Sequence, residues 1–373
     1  MTTETNINIK NARRVDLDWL RVLAVLLLVP FHSAFIFIHD PQVVMYVKDE
    51  ISSSFLNHFA GWIHQFHMPL LFYVSGAATY FSLKKRKAGQ YFKERFLKLL
   101  IPAFSGLIFI IPVITYIAMV SKGNSIDFWS HLANFWQFEN ADLTGMDGRF
   151  TPAHLWFLLF LFVFSLIGLP FFSILKKEGS VRLVKRVIDK TGIPIIIFIT
   201  FIVLTSSATL NILGDKNPIY YFLAFFCGYL FMMDNRFQHA IDKYVWLFLL
   251  TGVSCEIMRQ FSYSFISNGT IILILSNLNR WMWLLTILGF GHRYLNKNNN
   301  TLKYLSTASY SFYIFHLLLN TVVGFYIIKL PFGAGIKYSV IVVLTILSTF
   351  LVYEIVKRIP IIRFLFGIKN ANN

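Results

Sequence analysis

The sequence contains few charged residues for its length. Only 14% of its 373 residues are Asp, Glu, Lys or Arg, whereas 56% are hydrophobic. A soluble domain normally carries about 25% charged residues, so this composition excludes an ordinary soluble globular fold. The apolar runs are also too long for barrel strands, and they lack the alternation of apolar and polar residues that such strands show. We therefore predict an all-α fold, a polytopic membrane helical bundle.

Cysteine is scarce as well. The two cysteines, Cys227 and Cys255, fall in apolar runs and lack the spacing of metal ligands or of a disulfide framework. We predict that both are small buried residues and that the protein has no metal site. No internal repeat is evident, which weakens the prediction of a transporter built from inverted halves. No small-residue cleavage site follows the first apolar run, so we expect no cleavable signal peptide.

About ten transmembrane helices are predicted, in one domain that covers residues 1–373. Long apolar runs recur along nearly the whole chain, and about 20 such residues suffice to cross a bilayer. The approximate spans are 17–38, 59–82, 99–120, 153–174, 193–210, 218–234, 245–263, 270–291, 304–328 and 336–356.

The basic residues predict the orientation of these spans. One set of alternate segments holds 25 of the 34 Lys and Arg residues, and the opposite set holds 5. Basic residues collect in cytoplasmic loops, so both termini are predicted to be cytoplasmic, with 1–16 and 367–373 as tails. The same rule explains the net charge of +16 without a nucleic-acid partner. We expect a multi-pass protein of the inner or plasma membrane, with lipid headgroups contacting residues 84–87.

Arg21 and His32 both lie inside the first predicted span. A cation and a titratable ring are costly in lipid, so the pair points to a functional site. Eleven helical steps make about three turns, which places both side chains on one helix face, roughly 16 Å apart. In the predicted topology Arg21 lies toward the cytoplasm and His32 toward the outside.

The residue types suggest separate roles for the two ends of this face. His32 follows Pro30, which should kink the helix, and its imidazole suits a general base for a hydroxyl; a structural histidine is the alternative. Asp18 lies one turn before Arg21 and could pair with it. Arg21 would then be a fixed cation for an anionic donor such as a nucleotide-bearing thioester, unless the pair is only structural.

The second span opens with a group of histidines. His64 and His67 lie one turn apart, a spacing that could bind a metal, although no third ligand is evident. Positioning of an acceptor, or orientation of His32, is the preferred interpretation. Ser75 and Gly76 provide a small surface on which another helix can approach closely.

The longest outer loop, residues 121–152, combines aromatic and polar side chains. These could stack on and hydrogen-bond a sugar, or the tryptophans could form a membrane-interface belt. The relevant residues are Trp129, Trp136, Glu139, Asp142, Asp147 and Arg149.

Five motifs occur in order along the chain, and together they resemble the acyltransferase-3 family of integral membrane acyltransferases. They are Arg-x10-His at 21–32, Phe-His-Met-Pro-Leu-Leu-Phe-Tyr-Val-Ser-Gly at 66–76, Arg-Phe-Leu-Lys-Leu-Leu-Ile-Pro at 95–102, His-Leu-Trp-Phe-Leu at 154–158 and Ser-Tyr-Ser-Phe-Tyr-Ile-Phe-His at 309–316. Residues 291–295 and 353–366 make the chain similar to the glucan biosynthesis protein C group, which succinylates osmoregulated periplasmic glucans. The resemblance covers almost the full chain.

The resemblance implies transfer of an acetyl or succinyl group from cytoplasmic acyl-CoA to a hydroxyl of an extracytoplasmic glycan. By analogy His32 is the catalytic histidine and Arg21 its essential partner. Arg95, Lys98 and Asp18 are the donor-binding candidates, and acyl-CoA serves as a substrate, so no permanently bound cofactor is expected. Lys98 stands where the family often has arginine, which keeps the charge but loses the planar fork that binds phosphate.

A thioester acyl transfer also needs groups that bind the acceptor or stabilise an oxyanion. The candidates, which the sequence alone leaves unranked, are His64, His67, His154, Trp156, Arg280 and His316. Arg280 or Arg149 could also hold the second carboxylate of a succinyl group.

Two glutamates in the spans have predicted basic partners. Glu256 should pair with Arg259, and Glu354 with Lys357 or Arg358. A transporter or polysaccharide export protein without acyl transfer is the rival interpretation of the whole chain. It would need the polar face of the first span but no histidine base.

Overall fold

The structure is a computed structural model that describes residues 14–40, 43–137, 144–210, 212–213, 216–261, 266 and 268–368. Glu139 and Asp142 of the outer loop lie outside the described residues. The described residues contain no strand, in agreement with the predicted all-α class. Their α-helices are α1 (Val15–Phe35), α2 (Ser54–Lys85), α3 (Ala88–Arg95), α4 (Ile101–Phe109), α5 (Ile111–Ser121), α6 (Phe128–Phe135), α7 (Trp156–Leu175), α8 (Glu178–Thr191), α9 (Ile193–Ala208), α10 (Pro218–Phe231), α11 (Arg236–Phe261), α12 (Gly269–Tyr294), α13 (Asn300–Ile327), α14 (Ala334–Val356) and α15 (Pro360–Leu365).

Six helical segments within the described residues are long and apolar enough to cross a membrane. They are Val15–Phe35, Ala88–Ser121, Ala153–Leu175, Gly269–Tyr294, Asn300–Ile327 and Ala334–Val356. A seventh results if α8 and α9, which meet at a bend of 102°, count as one span. Helices α2 and α11 cover two further predicted spans but do not meet the same criterion. The number ten and the cytoplasmic termini therefore remain predictions.

The predicted span 99–120 consists of several helical pieces. A π-helical turn, Phe96–Leu100, joins α3 to α4, and α4 ends just before Ile110. Helix α5 restarts at Ile111 with Pro112 in its first turn, where the missing N–H of proline costs no hydrogen bond. Helix α1, in contrast, continues through Pro30 as one helix.

Helices α1 and α13 run side by side in the same direction. Near their beginnings, the Arg21 guanidinium donates to the Ser306 hydroxyl over 2.6 Å. Further along, the ring of His32 in the last turn of α1 lies 5.3 Å from that of His316 in the middle of α13. Both side chains of the polar face in α1 thus face α13, as the helical spacing predicts.

A very close contact between α2 and α10 sets the position of the second helix. A Cβ atom added to Gly76 would lie 1.8 Å from the backbone oxygen of Phe225, and one added to Gly228 would lie 2.0 Å from that of Tyr73. Only glycine permits this approach at either position. The predicted close helix contact at Gly76 is confirmed.

A buried ion pair attaches the segment after α1 to α14. The Lys337 ammonium donates to the Asp49 carboxylate and to the carbonyl oxygen of Ile328, each over 2.7 Å. Both charged side chains are almost fully buried. The Asp49 N–H also donates to the Ile36 carbonyl over 2.9 Å. These bonds anchor the segment directly beyond His32.

Candidate active site

Three imidazole rings from distant parts of the chain form one cluster. His32 lies in the last turn of α1, His154 precedes α7, and His316 lies in the middle of α13. The ring of His316 is 5.3 Å from that of His32 and 5.1 Å from that of His154, between centroids. His316 is fully buried, His154 is 8% exposed, and His32 is half-buried. Three predicted site residues therefore come together at one place.

Backbone carbonyls determine which nitrogen carries the proton in two of these rings. His316 Nδ1 lies 2.8 Å from the Tyr313 carbonyl oxygen, and His154 Nε2 lies 2.9 Å from that of Ile314. A carbonyl only accepts, so these nitrogens are the N–H donors. The other nitrogens, His316 Nε2 and His154 Nδ1, are buried without a hydrogen-bond partner among the described residues. In the neutral rings each of these nitrogens carries a lone pair, and the cluster therefore presents hydrogen-bond acceptors.

A second connection between α1 and α13 holds the cluster in register. The Asn320 amide, one turn after His316, donates to the Ser33 hydroxyl over 2.6 Å. Ser33 directly follows His32, and both Ser33 and Asn320 are fully buried. This bond fixes the relative position of the two helices beside the imidazole rings.

His64 and His67 contact the other side of α1. Both pack on the ring of Phe31, with centroids 6.1 Å and 5.8 Å away. His67 Nε2 donates to the Ala24 carbonyl oxygen over 2.8 Å. That bond engages one of its two possible metal-binding nitrogens. The arrangement supports a role in positioning α1, and no cluster of three or more His, Cys, Asp or Glu side chains suited to a metal occurs within the described residues.

A cavity of about 480 Å³ opens beside the Arg21 end of α1. Four cationic side chains line it, namely those of Arg21, Arg95, Lys98 and Lys303. Much of the remaining wall is apolar, with Val25, Leu71, Val74, Phe157, Leu158 and Leu161. The three cations predicted for the donor are thus brought together, and Lys303 joins them.

Hydrogen bonds and aromatic packing orient two of these cations. Arg21 lies 3.2 Å from the Asp18 carboxylate, so the predicted pair is confirmed. Arg95 donates to the Thr79 hydroxyl over 3.1 Å and stacks over the Tyr91 ring at 4.8 Å. Such contacts hold a guanidinium in one orientation before a ligand arrives.

Tyr313 connects the cavity to the histidine cluster. Its side chain lines the cavity, its hydroxyl donates to the backbone oxygen of His154, and its ring lies 5.6 Å from the His154 ring. The apolar wall that begins at Arg21 therefore ends beside the imidazoles.

A smaller chamber of about 180 Å³ adjoins the cavity. It shares Arg95 and Lys98 with the cavity and adds Ser82, Arg86 and Glu94. Arg86 and Glu94 form an ion pair over 2.9 Å. The two chambers together are lined by five cations, and the larger one also has an apolar wall.

Arg280 and Trp156 lie elsewhere. Arg280 is over the ring of Tyr220 at 6.0 Å, and Trp156 packs on Phe160 and Tyr221 at 5.2 Å and 5.5 Å. Neither is among the residues that line the cavity. Arg149 lies 3.7 Å from Asp147 in the outer loop. Among the six acceptor or oxyanion candidates, the structure therefore groups His154 and His316 with His32.

Sequence reasoning missed Lys303, Ser306 and Tyr313. Together with Tyr310 they line the cavity from one side of α13. Their spacing of three, four and three residues is that of one helix face. A polar stripe in an otherwise apolar helix was the available signal.

Two other predictions are confirmed. Glu256 and Arg259 pair over 2.6 Å, and Glu354 pairs with Lys357 over 2.5 Å and with Arg358 over 3.9 Å. Cys227 and Cys255 are both buried and free.

Comparisons with known proteins identify the family of this chain. A family model described as an acyltransferase domain, acyltransferase family 3, matches residues 14–354. Glucans biosynthesis protein C of Escherichia coli O157:H7 and that of Escherichia coli strain K12 are each 24% identical over 385 residues, covering 95% of this chain and 94% of the relative. No solved structure matches the chain significantly. Because the family model covers most of its length, the chain belongs to the acyltransferase-3 family of membrane acyltransferases.

Proposed function

We propose that this protein transfers an acetyl or succinyl group from acyl-CoA to a hydroxyl of an extracytoplasmic glycan. The observation that carries the proposal is that a cation-lined cavity reaches Tyr313, whose ring contacts that of His154 in the cluster of three imidazoles. Membership of an acyltransferase family supplies the reaction class. The names of the Escherichia coli relatives, glucans biosynthesis proteins, support a glucan or related polysaccharide as acceptor.

The chemistry of the cavity supports acyl-CoA as donor. Arg21, Arg95, Lys98 and Lys303 line it and suit the phosphate groups of a nucleotide. The apolar wall suits the pantetheine arm. Val25 on that wall precedes His32 by seven residues, about two helical turns or roughly 10 Å. An extended arm that enters between the cations would bring its thioester toward His32.

His32 is the general base in this proposal. It takes the proton of the acceptor hydroxyl while the hydroxyl oxygen attacks the thioester carbonyl carbon. The tetrahedral intermediate then collapses, the carbon–sulfur bond breaks, and the thiolate takes a proton from the imidazolium. Burial of the cluster excludes the water that would otherwise hydrolyse the thioester.

His154 and His316 suit the acceptor better than the oxyanion. In the neutral rings His154 Nδ1 and His316 Nε2 carry lone pairs and can only accept, whereas an oxyanion needs hydrogen-bond donors. Lone pairs instead accept the hydrogens of hydroxyl groups or the N–H of His32. An acceptor hydroxyl would satisfy the buried nitrogen of His154, and the N–H of His32 would satisfy that of His316; either nitrogen is costly to leave unpaired.

The proposal includes the topology of ten spans with both termini in the cytoplasm. The four cations of the cavity belong to the ends of helices that charge distribution assigns to the cytoplasmic side. His32 then lies nearer the outer face, where a glycan arrives. The protein would reside in the inner or plasma membrane. A single cysteine introduced at position 87 tests the orientation: its reaction with an impermeant reagent added from outside would overturn it.

Acyl transfer by the purified protein tests the function. Radiolabelled acetyl-CoA and succinyl-CoA are supplied separately with a glucan acceptor, to the parent protein and to His32→Ala and Arg21→Ala. The parent should transfer label from one donor, and His32→Ala should lose about a hundredfold or more in kcat. Full activity of His32→Ala would exclude His32 as base. Failure of the parent with every donor and acceptor would favour a transporter.

A further inference from the structure

We propose that α8 is an in-plane helix that binds the headgroups of anionic lipids. This surface lies outside the proposed active site, and the inference does not depend on the acyltransferase chemistry. The observations are the charge pattern of α8, its exposed apolar edge and its angle to α9.

The composition of α8 prevents it from crossing a bilayer. Six of the fourteen residues in Glu178–Thr191 are charged, and each would be costly in hydrocarbon. Helix α9 is different, because the sixteen residues of Ile193–Ala208 contain no charge. Most of its exposed side chains are apolar, including Ile195, Phe198 and Ile202. Helix α9 therefore enters the hydrocarbon, and α8 remains outside it.

The bend between the two helices places α8 along the membrane surface. The axes of α8 and α9 meet at 102°. Gly192 forms the junction with φ +79°, a conformation that favours glycine, and Pro194 occupies the first turn of α9. If α9 runs across the membrane, a helix at nearly a right angle to it lies close to the membrane plane.

The sequence of α8 divides into three arcs around its axis. Val181, Val184 and Ile188 are partly or fully buried against the protein. Leu183 and Val187 are 60% and 47% exposed and form an apolar edge that the protein leaves uncovered. Arg182, Arg186 and Lys190 lie beyond that edge, all exposed. We call these three cations the basic row.

Apolar edge and basic row together match a lipid interface. Side chains such as Leu183 and Val187 enter the acyl boundary, while Arg and Lys bind headgroup phosphates just above it. Glu178 lies one turn before Arg182, and Asp189, one turn after Arg186, binds Arg236 over 2.6 Å. The three cations of the basic row therefore keep a net positive charge. Charge complementarity therefore selects anionic over zwitterionic headgroups.

Fluorescence quenching tests the position of the apolar edge. Val187→Cys carries an environment-sensitive label in the full-length protein, in nanodiscs made with lipids brominated on their acyl chains. Lys185→Cys, an exposed residue on the side of α8 away from the apolar edge, is the control, and the parent corrects for labelling of native cysteines. We expect strong quenching at position 187 and weak quenching at 185. Equal weak quenching at both positions, or a label at 187 shielded by a second copy of the protein, would overturn the proposal.

Lipid selectivity tests the basic row. Binding of phosphatidylglycerol and phosphatidylcholine to the full-length protein is compared by native mass spectrometry. The variants are the basic-row triple Arg182→Gln/Arg186→Gln/Lys190→Gln and a dispersed triple of exposed cations, Lys243→Gln/Lys297→Gln/Arg358→Gln, with the same change in net charge. The basic-row triple should weaken phosphatidylglycerol binding about tenfold or more, and the dispersed triple should change it less than about threefold. Equal loss in both triples would mean a general charge effect and would contradict the proposal, as would a parent protein without preference for phosphatidylglycerol.

Discussion

The ring of His316 lies 5.3 Å from the ring of His32, and its buried Nε2 has no hydrogen-bond partner among the described residues. An N–H···N bond between two imidazoles spans about 2.9 Å between nitrogens, so a centroid separation near 5 Å is within reach of such a bond. His316 can thus accept the N–H of His32, and the other His32 nitrogen then faces the acceptor hydroxyl as a base. A third group that orients the base is a recurring feature of nucleophilic catalysis.

The first prediction concerns His316 as a positioning residue. His316→Phe keeps a planar ring of similar size but removes the lone pair. We expect kcat for acyl transfer to fall about 10- to 100-fold with the KM for acyl-CoA unchanged, because only the orientation of the base is lost. His316→Gln retains an acceptor oxygen and should recover part of kcat.

Asn320→Leu is the control for simple loss of packing at the same place. It removes the bond to Ser33 one turn away without removing the His316 lone pair. If Asn320→Leu and His316→Phe lower kcat equally, or if His316→Gln is no better than His316→Phe, helix packing rather than orientation explains the effect.

The second prediction concerns Lys303. It lines the cavity with Arg21 and Arg95, and a charge-assisted bond to a phosphate contributes about 1.5–3 kcal/mol. Lys303→Gln should raise the KM for acyl-CoA about tenfold or more, with little change in kcat. Acyl-pantetheine lacks the nucleotide phosphates, so the variant should use it as well as the parent does.

Lys297→Gln removes an exposed charge from the segment before α13 and should leave the KM for acyl-CoA unchanged. An equal rise in KM for acyl-CoA and acyl-pantetheine in Lys303→Gln would exclude phosphate binding by this residue.

The third prediction concerns the contact between α2 and α10. An added Cβ at Gly76 would overlap the Phe225 carbonyl oxygen at 1.8 Å, which forces the two helices apart. Gly76→Ala should destabilise the protein by about 1–3 kcal/mol and lower its apparent melting temperature in detergent. Gly89→Ala, where a Cβ meets no atom within 4 Å, should leave that temperature equal or slightly higher. Equal melting temperatures for both variants would show that the helices separate without cost.

Local helix geometry explains what the sequence could predict about the site. Arg21 and His32 share a face because their spacing is close to three turns, and both contact α13 as a result. The pairs of Asp18 with Arg21 and of Glu256 with Arg259 follow from one-turn spacing in the same way.

Tertiary packing explains what the sequence could not predict. His154 and His316 are 162 residues apart in the chain. No local pattern indicates that these two histidines, rather than Arg280 or Trp156, lie beside His32. The predicted span 304–328 begins just after Lys303, which lines the cavity. The predicted spans 153–174 and 193–210 leave residues 178–191 between them, and these residues form α8.

The fourth prediction concerns pH and the outer loop. His131 in α6 is 1% exposed, and its Nε2 donates to the Pro112 carbonyl oxygen over 3.0 Å. Burial lowers the pKa of His131 below 6.5, although the bond to Pro112 acts in the opposite direction. The packing of α6 against α5 therefore favours the neutral ring of His131. This packing, which we call the docking of α6, is fully stable above about pH 6.5. It weakens as the pH falls below that value, because the ring of undocked α6 takes up a proton first.

Hydrogen exchange of residues 128–135 measures this docking. We expect exchange, corrected for its intrinsic pH dependence, to increase between about pH 7 and pH 5 in the parent protein. His131→Gln keeps a donor for Pro112 but does not titrate, so its corrected exchange should be flat. The nearby Asp127 caps α6, and its pKa is lowered by hydrogen bonds from Ser130, so Asp127 stays ionised for most of this range. A parent profile as flat as that of His131→Gln would show that α6 remains docked with a protonated His131.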